Sequence, residues 1–392
     1  MHDVTNYVFP NDLHLHWSMM IALYPYITGI VAGAFIISSL YHVFGVSQLK
    51  PVSRYALLFA LAFLVFATAP LLLHLGHTER CLNMIFTPNS SSAMSGFGYI
   101  YNAYAILLIL EILFIYRPVL YDLKLKSQGL MKKMYTVLTF GSDNFTPKAL
   151  ALDNKIISFL AAVGIPMACV LHGYVGFIFG GVKANPIWST PLMPVIFLLS
   201  ACVSGIAGIV LSYVLIKTIR KQKIDMTCLR TSIKYLAGFI IIDFGFEMLE
   251  MFAHSYLKTE HHHMVAQLWS GPLFNSFWVG QVFLFSVIPI LLMGWMILSK
   301  MNDGMFKFLA CISSILLLLQ VAFMRWNIVI GGQLLSKSSR GFSYYHAEWL
   351  GKEGILMALI ILCAPILLLY VLSKIFPFWI EDKKNETITV KT

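Results

Sequence analysis

Four ionisable side chains step along one apolar stretch of this 392-residue chain: Asp243, Glu247, Glu250 and His254. Their spacing of four, three and four residues stacks them on a single helical face. Carboxylates that end on a histidine can pass protons between an apolar interior and water, because each group can hold and release one. The same spacing suits a polar face packed on other helices around structural water, and the residues alone leave both readings open. A second constellation lies in LHGYVGFIFGGVKANPIW, residues 171–188, where His172 and Tyr174 stand where an apolar run is about to end. Histidine and tyrosine both hydrogen-bond and exchange protons. Arg325, in RWNIVIGGQLLSKSSRG, offers a planar fork to a ladder carboxylate or a ligand carbonyl. A snorkelling arginine at the membrane rim is the plainer alternative. Glu111 reads as part of an inner proton route or, more simply, as an interfacial carboxylate near Arg117.

Other histidines are less telling. The stretch LLLHLGHTER sets His74 and His77 three apart, on one helical face if the helix continues. Paired histidines suggest haem b, but the available partners, His172 and His254, both lie at the rim and no second tier exists near the opposite face. The run HHH at 261–263, beside Glu260, reads as an exposed outer loop and not as a built metal site. Gln281 and Gln320 are expected as interhelical hydrogen-bond partners. The cysteines at 81, 169, 202, 228, 311 and 363 form no CxxC or CxxCH, so the chain shows no sign of an iron–sulfur cluster, zinc site or c-type haem of its own. No catalytic residue set is assigned.

These residues need elements to hold them, and the composition says which. The chain is 58% hydrophobic and 12% charged, far too apolar for a soluble domain. Apolar runs long enough to cross a membrane occur at nine places, near 20–43, 54–77, 95–116, 154–177, 193–217, 231–253, 273–298, 305–330 and 354–377. The expected fold is an all-α, polytopic integral membrane protein of about nine transmembrane helices. The N-terminal stretch MHDVTNYVFPNDLHLH lacks the basic start of a secretory signal, so the first span is expected to be retained.

The basic residues give the orientation. On one set of connections lie only Arg80, Lys183, Lys258, Lys337, Arg340 and Lys352, and Arg325 is inside a span. All the other lysines and arginines among the 28 fall on the opposite side, which is therefore cytoplasmic, with the N-terminus outside and the C-terminus inside. A net charge of +10 dispersed in this way is topology, and nucleic acid is not an expected partner. Of the twelve histidines only His42 falls on the inner side. The organisation reads as an outer segment 1–19, a first four-helix bundle 20–177 with a cytoplasmic connector 117–153, and a second four-helix bundle 178–330. An outer loop with a final helix (331–377) and a tail (378–392) complete the chain. Gly29 and Gly33 on the first span, and Ser200, Ser204 and Gly208 on the fifth, allow close helix approach. Both spans follow a Trp-Ser pair, Trp17-Ser18 and Trp188-Ser189, a weak hint of tandem bundles. The connector string GLMKKMYTVLTF has the look of an amphipathic surface helix.

Three strings resemble one family. GYVGFIFGGVKANPIWSTPLMPVIFLLSACVSG carries Trp188, Pro191, Pro194, Ser200 and Gly205. PVSRYALLFALAFLVFATAPLLLHLGHTERCLNMIFTPNSSSAMSGFG carries a Leu-Gly-x-x-Glu-Arg element and a Ser-x-Met-Ser turn. With RWNIVIGGQ, these are similar to the NrfD/PsrC membrane subunits of polysulfide reductase-like complexes, nearest the branch associated with multihaem cytochrome and iron–sulfur subunits. The resemblance covers roughly residues 15–345. It implies a subunit of a respiratory oxidoreductase in the bacterial cytoplasmic membrane, non-catalytic alone and without haem or iron–sulfur cluster. It would exchange electrons between a quinone pool, expected to be menaquinone, and a periplasm-facing iron–sulfur subunit, with a multihaem cytochrome c or molybdoenzyme subunit beyond it. The implied quinone contacts come from the first and fourth spans: His172 and Tyr174 carry over, with His74, His77 and His16 as further candidates. Asp243, Glu247, Glu250, Arg325 and Glu111 would then serve proton transfer. A quinone gains two hydroxyls on reduction, which agrees with a histidine–tyrosine site, and its tail needs an apolar groove in contact with membrane lipid. The competing readings are a proton- or ion-coupled transporter, a haem b anchor, and a scaffold that only holds partners.

Overall fold

The computed structural model describes residues 15–89, 91–257, 260–336 and 341–379, without the side chains of 260 and 261. The first fourteen residues, His14 among them, and the tail beyond 379 lie outside it. Every described element is helical except for an isolated antiparallel bridge between Leu335 and Phe342. The helices are α1 (Met19–His42), α2 (Lys50–Ala67), α3 (Ala69–His74), α4 (Asn83–Phe86), α5 (Ala93–Lys126), α6 (Gly129–Leu138) and α7 (Pro147–Gly180). They continue as α8 (Met193–Ile219), α9 (Met226–Tyr256), α10 (Glu260–Ser270), a π-helix (Asn275–Val287) running into α11 (Ile288–Leu298), α12 (Asp303–Leu334) and α13 (Ile355–Ile375).

Among the described residues, eight helical stretches are long and apolar enough to cross a membrane. They coincide with eight of the nine expected spans. The exception is the sixth, α9, which has the length (31 residues, or about 46 Å) but is interrupted by Lys234, Asp243, Glu247 and Glu250. It packs along α8 and α11 within the same assembly and turns its carboxylates inward. Helix ends follow local chemistry. Ser18, Asp225 and Asn302 cap α1, α9 and α12 by accepting backbone N–H bonds, and Pro70 accompanies the break between α2 and α3 at Thr68.

The centre of the molecule is a seam between α1 and α8. A Cβ on Gly33 would collide with the Ala201 carbonyl, and one on Gly205 with the backbone of Gly33 and Ala34, so the two helices touch main chain to main chain. Around this seam α1 also packs on α2, α7 and α12, and α8 on α7, α9 and α12. The two Trp-Ser elements meet at its end: Trp17 stacks on Trp188 at 5.0 Å between ring centroids, with 9° between planes. Trp188 donates from Nε1 to the Ile328 carbonyl (2.6 Å), while Gln333 accepts from the Trp17 N–H (3.0 Å). That end of α1, α8 and α12 is thereby held in one register.

Two expectations need correction here. The triple histidine is not in a loop, because α10 begins at Glu260 and includes it. His74 and His77 do not share a helical face, because α3 ends at His74 and the chain at Leu75 is extended.

Candidate functional site

His172 lies on α7, about two turns before the helix ends at Gly180, and is completely buried. It is therefore inside the bundle and not at a rim. A Cβ on Gly29 of α1 would sit 3.2 Å from the ring, so the glycine is what admits the imidazole between helices. His172 Nε2 lies 3.0 Å from Arg325 Nη2. Arginine only donates, so this nitrogen accepts and the proton of the neutral ring belongs on Nδ1, which is buried without a partner.

Arg325, on α12, is 1% exposed, which excludes a snorkelling rim residue. Its Nη2 also donates to Ser200 Oγ (2.7 Å) and the Phe197 carbonyl (3.2 Å), and its plane covers the Phe197 ring at 3.7 Å from the centroid. No carboxylate forms an ion pair with it among the described residues. Asp243 and Glu247 act on it electrostatically from the neighbouring helix.

The ladder on α9 faces inward as its spacing predicts: Asp243, Glu247 and His254 are buried and Glu250 half-buried. Asp243 has neither carboxyl oxygen hydrogen-bonded. Glu247 accepts from Gln281 Nε2 (3.0 Å) and Gln320 Nε2 (2.9 Å), so both glutamines act as the interhelical partners expected of them. Gln281 in turn accepts from Asn327 Nδ2 (2.8 Å), and Asn327 from Ser276 Oγ (2.7 Å). Gln281 belongs to the π-helix, whose i→i+5 geometry alters which residues face α9; Ser286 Oγ donates to the Gln281 carbonyl five residues back (2.7 Å). Glu250 accepts from Thr190 Oγ1 (2.9 Å) and lies 3.0 Å from His254 Nε2. A cavity of about 60 Å³, large enough for a few waters, is lined by Glu247, Glu250, His254, Gln281 and Asn327. A second, of about 240 Å³, is lined by His254, His262 and His263 toward the end of α9.

The other expected residues fall elsewhere. Tyr174 is two positions from His172, hence on a different face of α7, and it lies half-buried against α5. A Cβ on Gly96 would collide with its hydroxyl. The structure thus does not bring His172 and Tyr174 together. His74 pairs with Glu353 (2.8 Å) in the connection before α13, and His77 is exposed and pairs with Glu79 (2.9 Å). His16 is exposed ahead of α1. Of the three cavities described, none is lined by His172, Tyr174, His74, His77 or His16. Glu111 is fully buried on α5 with both carboxyl oxygens unpartnered, and Arg117 instead pairs with Asp153 at 2.6 Å. Sequence reasoning missed Phe197, Thr190, Ser276 and Asn327, and saw in Ser200 only a small residue. The one signal was that Asn327 follows Arg325 by two positions in an otherwise apolar run.

The family model "Polysulphide reductase, NrfD" matches residues 9–336. The chain belongs to the NrfD family. It is 28% identical over 324 residues to the C subunit of the selenate reductase of Mesobacillus selenatarsenatis, covering 80% of this chain and 73% of that one. It is 24% identical over 327 residues to the protein NrfD of Escherichia coli, covering 82% and 96%. A third relative is the Hdr-like menaquinol oxidoreductase integral membrane subunit of Archaeoglobus fulgidus, 22% identical over 278 residues, with 70% of this chain and 62% of that protein covered. The strings that resembled the NrfD family lie at structural junctions. Trp188 and Gly205 sit on the α1–α8 seam, and the Ser-x-Met-Ser element, which opens α5 and is no turn, leads directly into Gly96 beneath Tyr174.

Proposed function

We propose that this chain is the quinone-interacting membrane subunit of a respiratory oxidoreductase complex, oriented with its histidine-rich end outward. A relative named as a menaquinol oxidoreductase membrane subunit and another named as part of a selenate reductase support the class of complex. The observation that carries the reading is a row of buried polar groups inside an apolar bundle: the bonded set His172–Arg325–Ser200, the unbonded Asp243, Glu247 with its glutamines, then Glu250 beside His254 with His262 beyond. Ionisable groups buried in a membrane protein are retained at a cost and mark proton or ligand paths.

Tyr174 and His172 take separate parts in this scheme. Tyr174 is half-buried near the outer end of α7, and its hydroxyl is suited to donate a hydrogen bond to a quinone carbonyl or accept one from a quinol hydroxyl. His172 is sealed behind Gly29, and its accepting nitrogen is taken by Arg325, so it orients the arginine and is not a direct quinone ligand. Quinol oxidation yields electrons and protons together. The electrons leave through the iron–sulfur or haem centres of a partner protein, and the protons leave by the α9 line to the outside. Menaquinone is the quinone favoured by the archaeal relative's name.

The test uses the purified complex. Its lipid extract should contain a quinone, and quinol-dependent reduction of the partner should fall at least tenfold in Tyr174→Phe with assembly intact. Wild-type turnover in that variant removes Tyr174 from the site. A Soret band that stays with this chain alone, or substrate flux through the isolated chain in vesicles, would replace the reading by a haem anchor or a transporter.

A further inference from the structure

Away from the quinone reading, the basic end of the molecule holds a cavity of about 650 Å³ between α1, α2, α5 and α7. Its polar lining includes His42, Lys50, Arg54, Asp153, Asn154 and Ser158. Asp153 is spent on Arg117, both of its oxygens accepting from Nη1 at 2.6 Å, so that pair adds no net charge. Arg54 has no hydrogen bond or ion pair among the described residues; its guanidinium lies 5.7 Å from the centre of the Tyr116 ring. The cavity is therefore cationic. Its lining also includes apolar side chains, Phe114, Ile115 and Ile157 among them, and the same helices α5 and α7 expose Ile109 and Phe159.

A second feature sets the depth. α6 exposes Leu130, Met131, Met134 and Val137 and follows Met131 directly with Lys132 and Lys133. Such a basic amphipathic helix rests in the headgroup plane of an anionic leaflet. The connector after α6 supplies Ser142 and Asn144, which accept from Arg117 (2.8 and 3.2 Å) and so brace the wall of the cavity. Cavity and surface helix thus lie at one level, on the side where the lysines and arginines gather.

We propose that this cavity binds the phosphate headgroup of an anionic phospholipid from the cytoplasmic leaflet, with Arg54 as its principal cation and the acyl chains along α5 and α7. Basic pockets between transmembrane helices have the chemistry for such headgroups, whereas a zwitterionic lipid would bring its own ammonium into a cavity that is already cationic. The polar lining fits the headgroup and the apolar lining the first methylenes. A soluble phosphate would use the polar lining alone.

The experiment is the thermal unfolding midpoint of the full chain, purified in neutral detergent. It is titrated with mixed micelles containing phosphatidylglycerol, with phosphatidylcholine, or with inorganic phosphate at matched ionic strength. Phosphatidylglycerol alone should raise the midpoint. Arg54→Gln should weaken its apparent affinity about fivefold, the loss expected of one near-surface cation, and Arg54→Lys should restore most of it. If Arg54→Gln does not fold, Ser158→Phe, which narrows the mouth and keeps every charge, should abolish the shift. An equal shift with phosphatidylcholine, an equal shift with inorganic phosphate, or an unchanged titration in the variant that folds would overturn the proposal.

Discussion

Two buried glutamates, one in each half of the molecule, are held in opposite ways. On α9, Glu247 accepts from two glutamines on different helices and Glu250 accepts from Thr190, although Asp243 on the same face has no hydrogen bond. On α5, Glu111 is just as buried and has no hydrogen bond on either oxygen. A satisfied buried group rigidifies its surroundings, whereas an unsatisfied one costs its full desolvation and persists only if neutral or useful. The difference separates the hydrogen-bonded core built around Glu247 from Glu111, which stands apart from the paired Arg117 and Asp153 of its own half. It also explains why one arginine serves the whole core: Arg325, seated on Phe197 and Ser200, is the cation between His172 and the α9 carboxylates.

Replacing that arginine should have the largest effect. Arg325→Leu leaves His172 Nε2, Ser200 Oγ and the Phe197 carbonyl without their donor, and should cost on the order of 1–3 kcal/mol for each buried acceptor left unbonded. The yield of assembled complex and its midpoint in denaturation measure this. Arg325→Lys should recover only part of this, since an ammonium keeps the charge and donors but loses the plane stacked on Phe197. Glu247→Gln is next. It keeps the shape but gives one glutamine a donor where it needs an acceptor, costing roughly 1–2 kcal/mol. Proton release coupled to quinol oxidation should fall with it. Glu111→Gln sharpens the contrast: with no hydrogen bond to lose, stability should change by less than about 1 kcal/mol, and turnover should stay at the wild-type level. A large loss of turnover there would make Glu111 part of a working inner route and cancel the asymmetry.

The smallest effect is expected at the partly exposed pair His74–Glu353. Burial raises the Glu353 carboxyl, but hydrogen bonds from Ser18 and His74 and the charges of His74 and Lys352 outweigh it, leaving it below the usual carboxylate range. A carboxyl depressed on folding adds stability above its unfolded value and loses it as pH falls through the folded one. Glu353→Gln should thus lower stability by less than about 1 kcal/mol near neutral pH. The gap to wild type should close below about pH 4. A gap that widens in acid would reverse the assigned sign.

Much of the architecture is legible in the sequence because a membrane imposes it. Apolar runs of spanning length locate all eight apolar crossings, and α9 coincides with the run that carries the ladder. The four-three-four spacing puts Asp243, Glu247, Glu250 and His254 on one inward face. The candidate site is only partly legible. Treating His172 and Tyr174 as one site ignores the turn of roughly 200° between positions two apart on a helix. Treating His74 and His77 as one face assumes a helix that in fact stops at His74.

Length and hydropathy thus determined the helices and the membrane setting, and the placement of lysine and arginine gives the expected sidedness. These depend on each segment's own exchange of water for hydrocarbon, and that is a local property of the chain. Which helix faces which was decided only by packing. Lipid and neighbouring helices are equally apolar, so a membrane span carries little amphipathic signal to mark its partner. The meetings of Gly33 with Ala201, Arg325 with His172, and Glu247 with Gln281 and Gln320 come from close fit and hydrogen bonding between segments far apart in the chain.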